Sequence, residues 1–298
     1  MSLIAGTIVS LPVDREVSPF GYFLRGDEGQ DILLHYSELT HPVKAGDTVD
    51  VFLFFDTEDR PAATMKKPYL TLGEMALLEV ADVHPRLGCF LEMGLGRQLL
   101  LPIRELPELP ELHPRVGDQV YVIMEQDKQG RLKAKLAGEQ ELSAKAFHAP
   151  DSWKNEWFDA IVYKPLQMGT FVVVQGGVLG FGAIGMIHST ERARLLRLGE
   201  TVKVRVAHVR EDGRVNLSMT ARREVSQGED ADKILAFLME RQGGAMPYSD
   251  VTPPEVIKQR FGISKSAFKR ALGKLMKDGK VTQKESWTYL VKPEQEQE

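Results

Sequence analysis

The chain has 298 residues, 43% of them hydrophobic and 27% charged, with a net charge of −4; such a length fits two to four small domains better than one core. No apolar run approaches the roughly 18 residues a membrane-spanning helix requires, and the start at Met1-Ser2-Leu3-Ile4 lacks the basic and apolar regions of a secretion leader. Cys89 is the single cysteine, which excludes an internal disulfide framework and a paired-cysteine zinc site and points to a reducing cytoplasm.

In chain order, the first recognisable element is Gly21-Tyr22-Phe23-Leu24, which returns as Gly88-Cys89-Phe90-Leu91 and Gly169-Thr170-Phe171-Val172. An apolar stretch follows each copy: Ile32-Leu33-Leu34, Leu99-Leu100-Leu101 and Ile184-Gly185-Met186-Ile187. Next comes a Gly-acid-x-Val step at Gly46-Asp47-Thr48-Val49, Gly117-Asp118-Gln119-Val120 and Gly199-Glu200-Thr201-Val202. A polar turn then ends in Arg60, Arg131 or Arg214, which lies 14, 14 and 15 residues beyond the glycine of that step. Constant spacing in three copies is the signature of an internal repeat. Within each copy, alternation such as Val49-Val51-Leu53 and Val202-Val204-Val206 has the period of strands with one buried face. Gly130-Arg131 and Gly213-Arg214 read as hairpin turns. About five short strands per copy predict a small closed barrel, since a lone ribbon of that size buries too little surface.

After Arg222-Arg223 the pattern changes. Ser226-Gln227-Gly228-Glu229-Asp230 reads as a polar linker, and Ile234, Leu235, Leu238 and Met239 recur at helical spacing. Thr252-Pro253-Pro254-Glu255 reads as a capping box opening a helix that Gly262 ends. Ser264 caps a third helix with an apolar face of Phe268, Leu272, Leu275 and Met276, stopped by Gly279. Val281 to Leu290 reads as a hairpin wing, which completes a winged helix. The predicted fold is therefore mainly β with a C-terminal α+β domain. Three tandem five-stranded OB-type barrels (1–67, 68–143 and 144–225) precede a winged helix (226–292) and a polar tail (293–298).

Phe171-Val172-Val173, Gly185-Met186-Ile187-His188-Ser189, Leu198-Gly199-Glu200-Thr201-Val202 and Gly213-Arg214-Val215-Asn216-Leu217-Ser218 together resemble the ribosomal protein S-one type of OB-fold. The first copy keeps Phe23, His35-Tyr36-Ser37 and Arg60, whereas the second carries Pro102 where the others have histidine. In that family, single-stranded RNA stacks on aromatics beside a His and an Arg. The resemblance thus nominates Phe171, His188 and Arg214, with Phe181 as a further platform, and Tyr22, Phe23, His35 and Arg60 in the first copy. Core packing is the competing role for each Phe, a structural histidine for His188, and a solvated turn for Arg214. Gly180-Phe181-Gly182-Ala183-Ile184-Gly185 matches a dinucleotide fingerprint, but no acid follows about 20 residues later and the segment continues as strand. A tight inter-strand turn is the expected role.

Pro247-Tyr248-Ser249-Asp250, Pro253-Pro254-Glu255 and Phe261-Gly262-Ile263-Ser264-Lys265-Ser266-Ala267-Phe268-Lys269-Arg270 resemble the conserved virulence factor B family of bacterial RNA-binding proteins. That resemblance implies three S-one-type barrels, a winged helix, RNA binding and a regulatory role, and supplies no catalytic residue or cofactor. Charge divides along the same line. Residues 1–67 carry 6 Lys and Arg against 11 Asp and Glu, residues 68–143 carry 8 against 12, residues 144–225 carry 12 against 8, and residues 226–298 carry 12 against 11. A polyanion is thus expected on the C-terminal half. There Lys265, Lys269, Arg270, Lys274 and Lys277 precede the first acid of the third helix. The expected function is non-catalytic binding of single-stranded RNA in the cytoplasm, with no cofactor, metal or membrane. The alternatives are a DNA-binding regulator acting through the winged helix, and an adaptor docking on the ribosome or on RNA-processing proteins.

Overall fold

A computed structural model describes residues 4–26, 29–56, 58–220, 223–241 and 243–291. The chain divides after Thr220 into two compact units. In the first unit, β1 (Ile8–Val17), β2 (Gly21–Arg25), β3 (Asp31–His35), β4 (Thr48–Phe55) and β5 (Pro61–Thr64) form the first copy. The second comprises β6 (Met75–His84), β7 (Gly88–Glu92), β8 (Gln98–Pro102), β9 (Gln119–Gln126) and β10 (Leu132–Leu136). Helix α1 (Glu139–Lys145) leads into the third: β11 (Trp157–Pro165), β12 (Gly169–Gln175), β13 (Gly182–His188), β14 (Thr201–Val209) and β15 (Val215–Ser218).

The expected barrels are present, with one correction. The first and third copies close through a parallel seam, β3 on β5 and β13 on β15, while the second is a five-stranded sheet in the order β10-β9-β6-β7-β8 with no pairing of β8 to β10. At the seam Leu33 pairs with Ala62 and Met186 with Asn216; the equivalent residue of the second copy is Lys133, whose Nζ lies 2.9 Å from Glu125 on β9.

The repeat signals have local physical causes. Gly21 and Gly88 adopt positive φ (150° and 124°), and a Cβ at either would drive into the carbonyl of Leu34 or Leu101 on the adjacent strand. Only glycine permits that approach. The acid of each Gly-acid step closes its own turn by accepting a backbone N–H three residues earlier: Asp47 from Lys44 at 2.8 Å, Asp118 from Arg115 at 2.7 Å, and Glu200 from Arg197 at 3.0 Å.

The copies are packed into one another rather than strung out. Phe52, Phe54 and Ala62 of the first copy share a core with Leu70, Leu95 and Leu99 of the second, and so does Leu198 of the third. A second cluster joins Tyr121, Ala137 and Leu142 to Ile161, Tyr163, Val173 and Ile184. Polar contacts fix the register between the second and third copies: Leu198 N–H donates to Leu112 O (2.9 Å) and Gln119 N–H to Gly199 O (3.0 Å). Arg197 bridges Asp118 (3.2 Å) and Glu200 (3.5 Å) in a largely desolvated site.

The second unit holds α2 (Arg223–Met239), β16 (Ala245–Met246), α3 (Pro254–Phe261), α4 (Lys265–Lys277), β17 (Val281–Lys284) and β18 (Trp287–Leu290), with sheet order β16-β18-β17. This is the expected winged helix around Ile234, Leu238, Ile257, Phe268, Leu272 and Leu275. Three local readings change. Residues 226–230, read as a linker, lie inside α2. The capping box is not made, because Pro253 is the cap and the Thr252 hydroxyl accepts from Ser249 N–H instead (2.8 Å). Met276 is 44% exposed, and Ala271 takes its place in the buried stripe. The cap at Ser264 is made, its hydroxyl accepting from Ala267 N–H at 3.2 Å. The predicted tail, 293–298, lies outside the described residues.

The Glu200 carboxylate, held by Arg194 and Arg197, sets a pH dependence. Burial alone would raise the Glu200 carboxyl, but hydrogen bonds from Arg194 and from Arg197 N–H, with both guanidinium charges, hold it below its ordinary value of 4.5. A carboxylate depressed on folding contributes stability that is complete above its unfolded pKa and lost as pH falls through the folded one. Glu200→Gln is therefore expected to be roughly 1–3 kcal/mol less stable at neutral pH. Its denaturation midpoint should also fall less steeply than that of the wild type as pH drops below 4.5. Equal slopes in a denaturant series across that range would remove the Glu200 carboxylate from the account.

Candidate nucleic-acid interface

In OB-folds, oligonucleotides lie across strands two and three and the adjoining loops. Each copy has a bulge in its first strand, and that bulge decides what stands opposite its Phe. Arg15 pairs with Phe23, Asp82 with Phe90 and Lys164 with Phe171. The first and third copies thus set a cation beside the ring, with Arg15 4.9 Å and Lys164 5.9 Å from the ring centroids, whereas the second sets a carboxylate there. Arg15 and Lys164 were not among the sequence candidates. The available signal was a charged residue eight, eight and seven positions before the Phe in the three copies.

The three faces differ in access. Phe23 is half-buried, and Arg15 and Arg25 both pair with Asp14 and Asp31 at 2.5–3.3 Å, so the cations of the first face are already neutralised. Tyr22 points the other way, packing against the first core and edge-on to Tyr36 at 5.7 Å. On the third face, Val173 and Ile184 are covered by the second copy, and Phe181 packs on Tyr121 with centroids 5.4 Å apart. Phe171 sits at the edge of this contact, half-buried beside Tyr163 (6.2 Å). Burial pushes the Tyr163 hydroxyl up to about 12. The open end of the face runs from Lys164 and Phe171 to His188, beside the exposed loop residues Leu166 and Met168. Arg192 fastens that loop, donating to Leu166 O (2.9 Å), Gln167 O (2.5 Å) and the Thr170 hydroxyl (2.7 Å).

The repeated histidines and arginines have turn roles that sequence reading did not separate from binding. His35 and His188 each cap a short 3-10 turn, Nδ1 accepting from Ser37 N–H (3.2 Å) and Thr190 N–H (3.3 Å), with both rings exposed. Pro102 occupies the same cap position without a side-chain bond. Arg60 pairs with Asp56 (2.8 Å), as its second-copy equivalent Arg131 pairs with Asp127 (2.8 Å). The third copy replaces that aspartate by Arg210, and Arg214 turns instead to Glu139 on α1 (2.6 Å). The GxGxxG stretch opens no helix, and it is only partly the turn that was expected: Gly180 and Phe181 lie between β12 and β13, whereas Gly182 to Gly185 belong to β13, where a Cβ on Gly182 would strike Val174 O.

On the winged helix, Lys269, Arg270, Lys274 and Lys277 are exposed along α4 and Lys265 is half-buried in its first turn. Lys269 lies 3.9 Å from exposed Asp250, a pairing of little strength. Lys274 Nζ comes within 3.4 Å of where a Cβ on Gly228 of α2 would stand, so it flanks that helix. Among the described residues, no cluster of three His, Cys, Asp or Glu is placed to hold a metal ion.

Family comparisons follow this architecture domain by domain. Residues 5–66 match an S1 domain, 75–135 the CvfB first S1-like domain, 142–221 the second domain of virulence regulatory factor CvfB, and 232–290 a CvfB-like winged helix domain. Conserved virulence factor B of Staphylococcus saprophyticus is 30% identical over 266 residues, covering 88% of this chain and 86% of its own length. The chain belongs to the conserved virulence factor B family. Uncharacterized protein YitL of Bacillus subtilis is 40% identical over 289 residues, covering 97% of this chain and 94% of that one. A crystal structure described as a multidomain protein with nucleic acid binding domains, from Streptococcus pneumoniae, superposes with a TM-score of 0.63 at 33% identity, over 96% of this chain and 98% of its own. S1 and winged-helix domains are nucleic-acid-binding modules, and this chain is composed of them.

Packing and exposure separate the candidate rings. Phe181→Ala is expected to cost about 1–3 kcal/mol in thermal unfolding, because it vacates an inter-copy contact made by a half-buried ring. Phe23→Ala should cost less, its ring lying on an outer face. Equal losses would mean that the two rings do the same packing work.

Proposed function

We propose that the protein is a non-catalytic RNA-binding protein of the cytoplasm, taking single-stranded RNA with little sequence specificity and acting in post-transcriptional regulation. The observation that carries this reading is the exposed cationic flank of α4, free of acids from Ser264 to Lys277, in a chain whose other domains are of S1 type. Four of its five cations are lysines, which hold phosphates as point charges, whereas base-edge readout in duplex DNA favours Arg, Asn and Gln. The third barrel adds Lys164 against Phe171 with His188 at the open end of its face. The first barrel follows with Phe23 and His35, once a phosphate displaces the carboxylates on Arg15 and Arg25. Phe181, Arg60 and Arg214 rank below these because each is engaged elsewhere. An adaptor role within an RNA-processing or translation assembly is favoured by one feature, the fully exposed Val178 and its neighbour Leu179 on the β12–β13 loop.

Because the copies share cores through Leu198 and the Tyr121 cluster, the test keeps the chain whole. Full-length Lys269→Glu with Lys277→Glu should weaken binding to oligouridylate by roughly tenfold or more and lower the salt slope by about 1.4, at ~0.7 per phosphate contact. Unchanged affinity, or tighter binding of duplex DNA than of oligouridylate, would overturn the reading.

A further inference from the structure

We propose that the outer face of the wing sheet is a nucleobase-stacking platform formed by Trp287 and Tyr289, an inference that rests on the RNA-binding reading above. The hairpin register places Lys284 opposite Trp287, Gln283 opposite Thr288, Thr282 opposite Tyr289, and Val281 opposite Leu290. Across the other edge, Ala245 pairs with Tyr289 and Met246 with Thr288. Cross-strand partners share a face, so Val281, Thr288, Met246 and Leu290 belong to one side and Thr282, Lys284, Trp287, Tyr289 and Ala245 to the other. Burial agrees. Val281, Thr288 and Met246 are buried, and the Thr288 hydroxyl donates to Tyr248 O at 2.7 Å, whereas Thr282, Lys284 and Trp287 are exposed and Tyr289 is half-buried. The winged-helix core therefore lies entirely on the first side and gives no packing reason for a tryptophan on the second.

On that solvent side, Trp287 is 41% exposed and its ring lies 6.4 Å from Tyr289 at an interplanar angle of 27°, a near-parallel stack. Such a stack can be extended by one more flat ring. Sheet faces carrying adjacent aromatics hold unpaired bases in this way, because every base has a π-face whatever its sequence. Lys284 stands beside Trp287 and Lys280 precedes the strand, both exposed and, among the described residues, without an ion-pair partner, so phosphates flanking a stacked base would meet cations. Glu285 forms the tip of the turn (φ 54°) and is the acid nearest in sequence. A base inside a duplex has both faces covered by its neighbours, so this platform selects for single strands. It also gives the winged helix a use of its wing distinct from duplex-groove insertion.

The test uses the full-length protein, Trp287→Ala and Trp287→Phe, with oligouridylate and an abasic oligomer of the same length as probes. Trp153 is buried and Trp157 sits in the third barrel, so both remain as background emitters. Oligouridylate should quench part of the wild-type tryptophan emission, and that part should vanish in Trp287→Phe. Trp287→Ala should bind oligouridylate roughly tenfold more weakly with an unchanged melting temperature. The abasic oligomer should show neither the quench nor sensitivity to the substitution. If the wild type binds oligouridylate while both variants bind equally well and quench equally, the platform is refuted and the RNA-binding reading stands. If none of the three binds any oligomer, both fall. If Trp287→Ala changes the mass seen by light scattering and leaves RNA affinity intact, the face is a self-association surface and the proposal is overturned.

Discussion

The burial of one barrel's surface in the next governs what the rest of the molecule can do. Leu198 enters the core of the second copy, and the outward residues Val173 and Ile184 of the third are capped by Tyr121, Ala137 and Leu142. Apolar side chains that an isolated OB-fold would leave on its ligand face are here buried between copies, at about 25 cal/mol for each Å² removed from water. Arg197, held between Asp118 and Glu200, fixes the register of that contact. A desolvated charge network of this kind is costly to break and insists on one arrangement.

From that constraint follows an unequal distribution of open surface. The third copy retains a short run from Lys164 and Phe171 to His188. The second presents a carboxylate beside its Phe and a proline where the others have a histidine cap. The first keeps its face open but pairs both of its arginines with Asp14 and Asp31. The winged helix, by contrast, carries its cations on an exposed flank, and exposed Trp287 beside half-buried Tyr289 on the outer face of its sheet. Three sequence copies have therefore become three different surfaces, although their strand order is nearly the same.

The repeat itself was plainly legible, because its glycines and acids act locally. Gly21 and Gly88 are required by the neighbouring carbonyl, and Asp47, Asp118 and Glu200 each close a turn three residues back. Periodicity likewise revealed the winged helix and the cap at Ser264. What escaped was what register and partners distant in sequence decide. Nothing local distinguishes Phe171 from Phe181, yet one sits at an open edge and the other against Tyr121. Arg60 and Arg214 share a sequence position, but the loss of the turn aspartate at Arg210 sends the second to Glu139. The bulge that puts Arg15 and Lys164 beside their rings shifts register by one residue, and alternation alone does not reveal it. Trp287 was visible as part of a hairpin, and only the register showed that it faces away from the core.

The most direct measurement is hydrogen exchange across the full chain with and without saturating oligouridylate. The account predicts slowed exchange in residues 265–290 and at the open end of the third barrel, 164–171 and 186–192, with the covered strands between 173 and 184 unchanged. Protection confined to residues 1–143, with 265–290 unaffected, would contradict it.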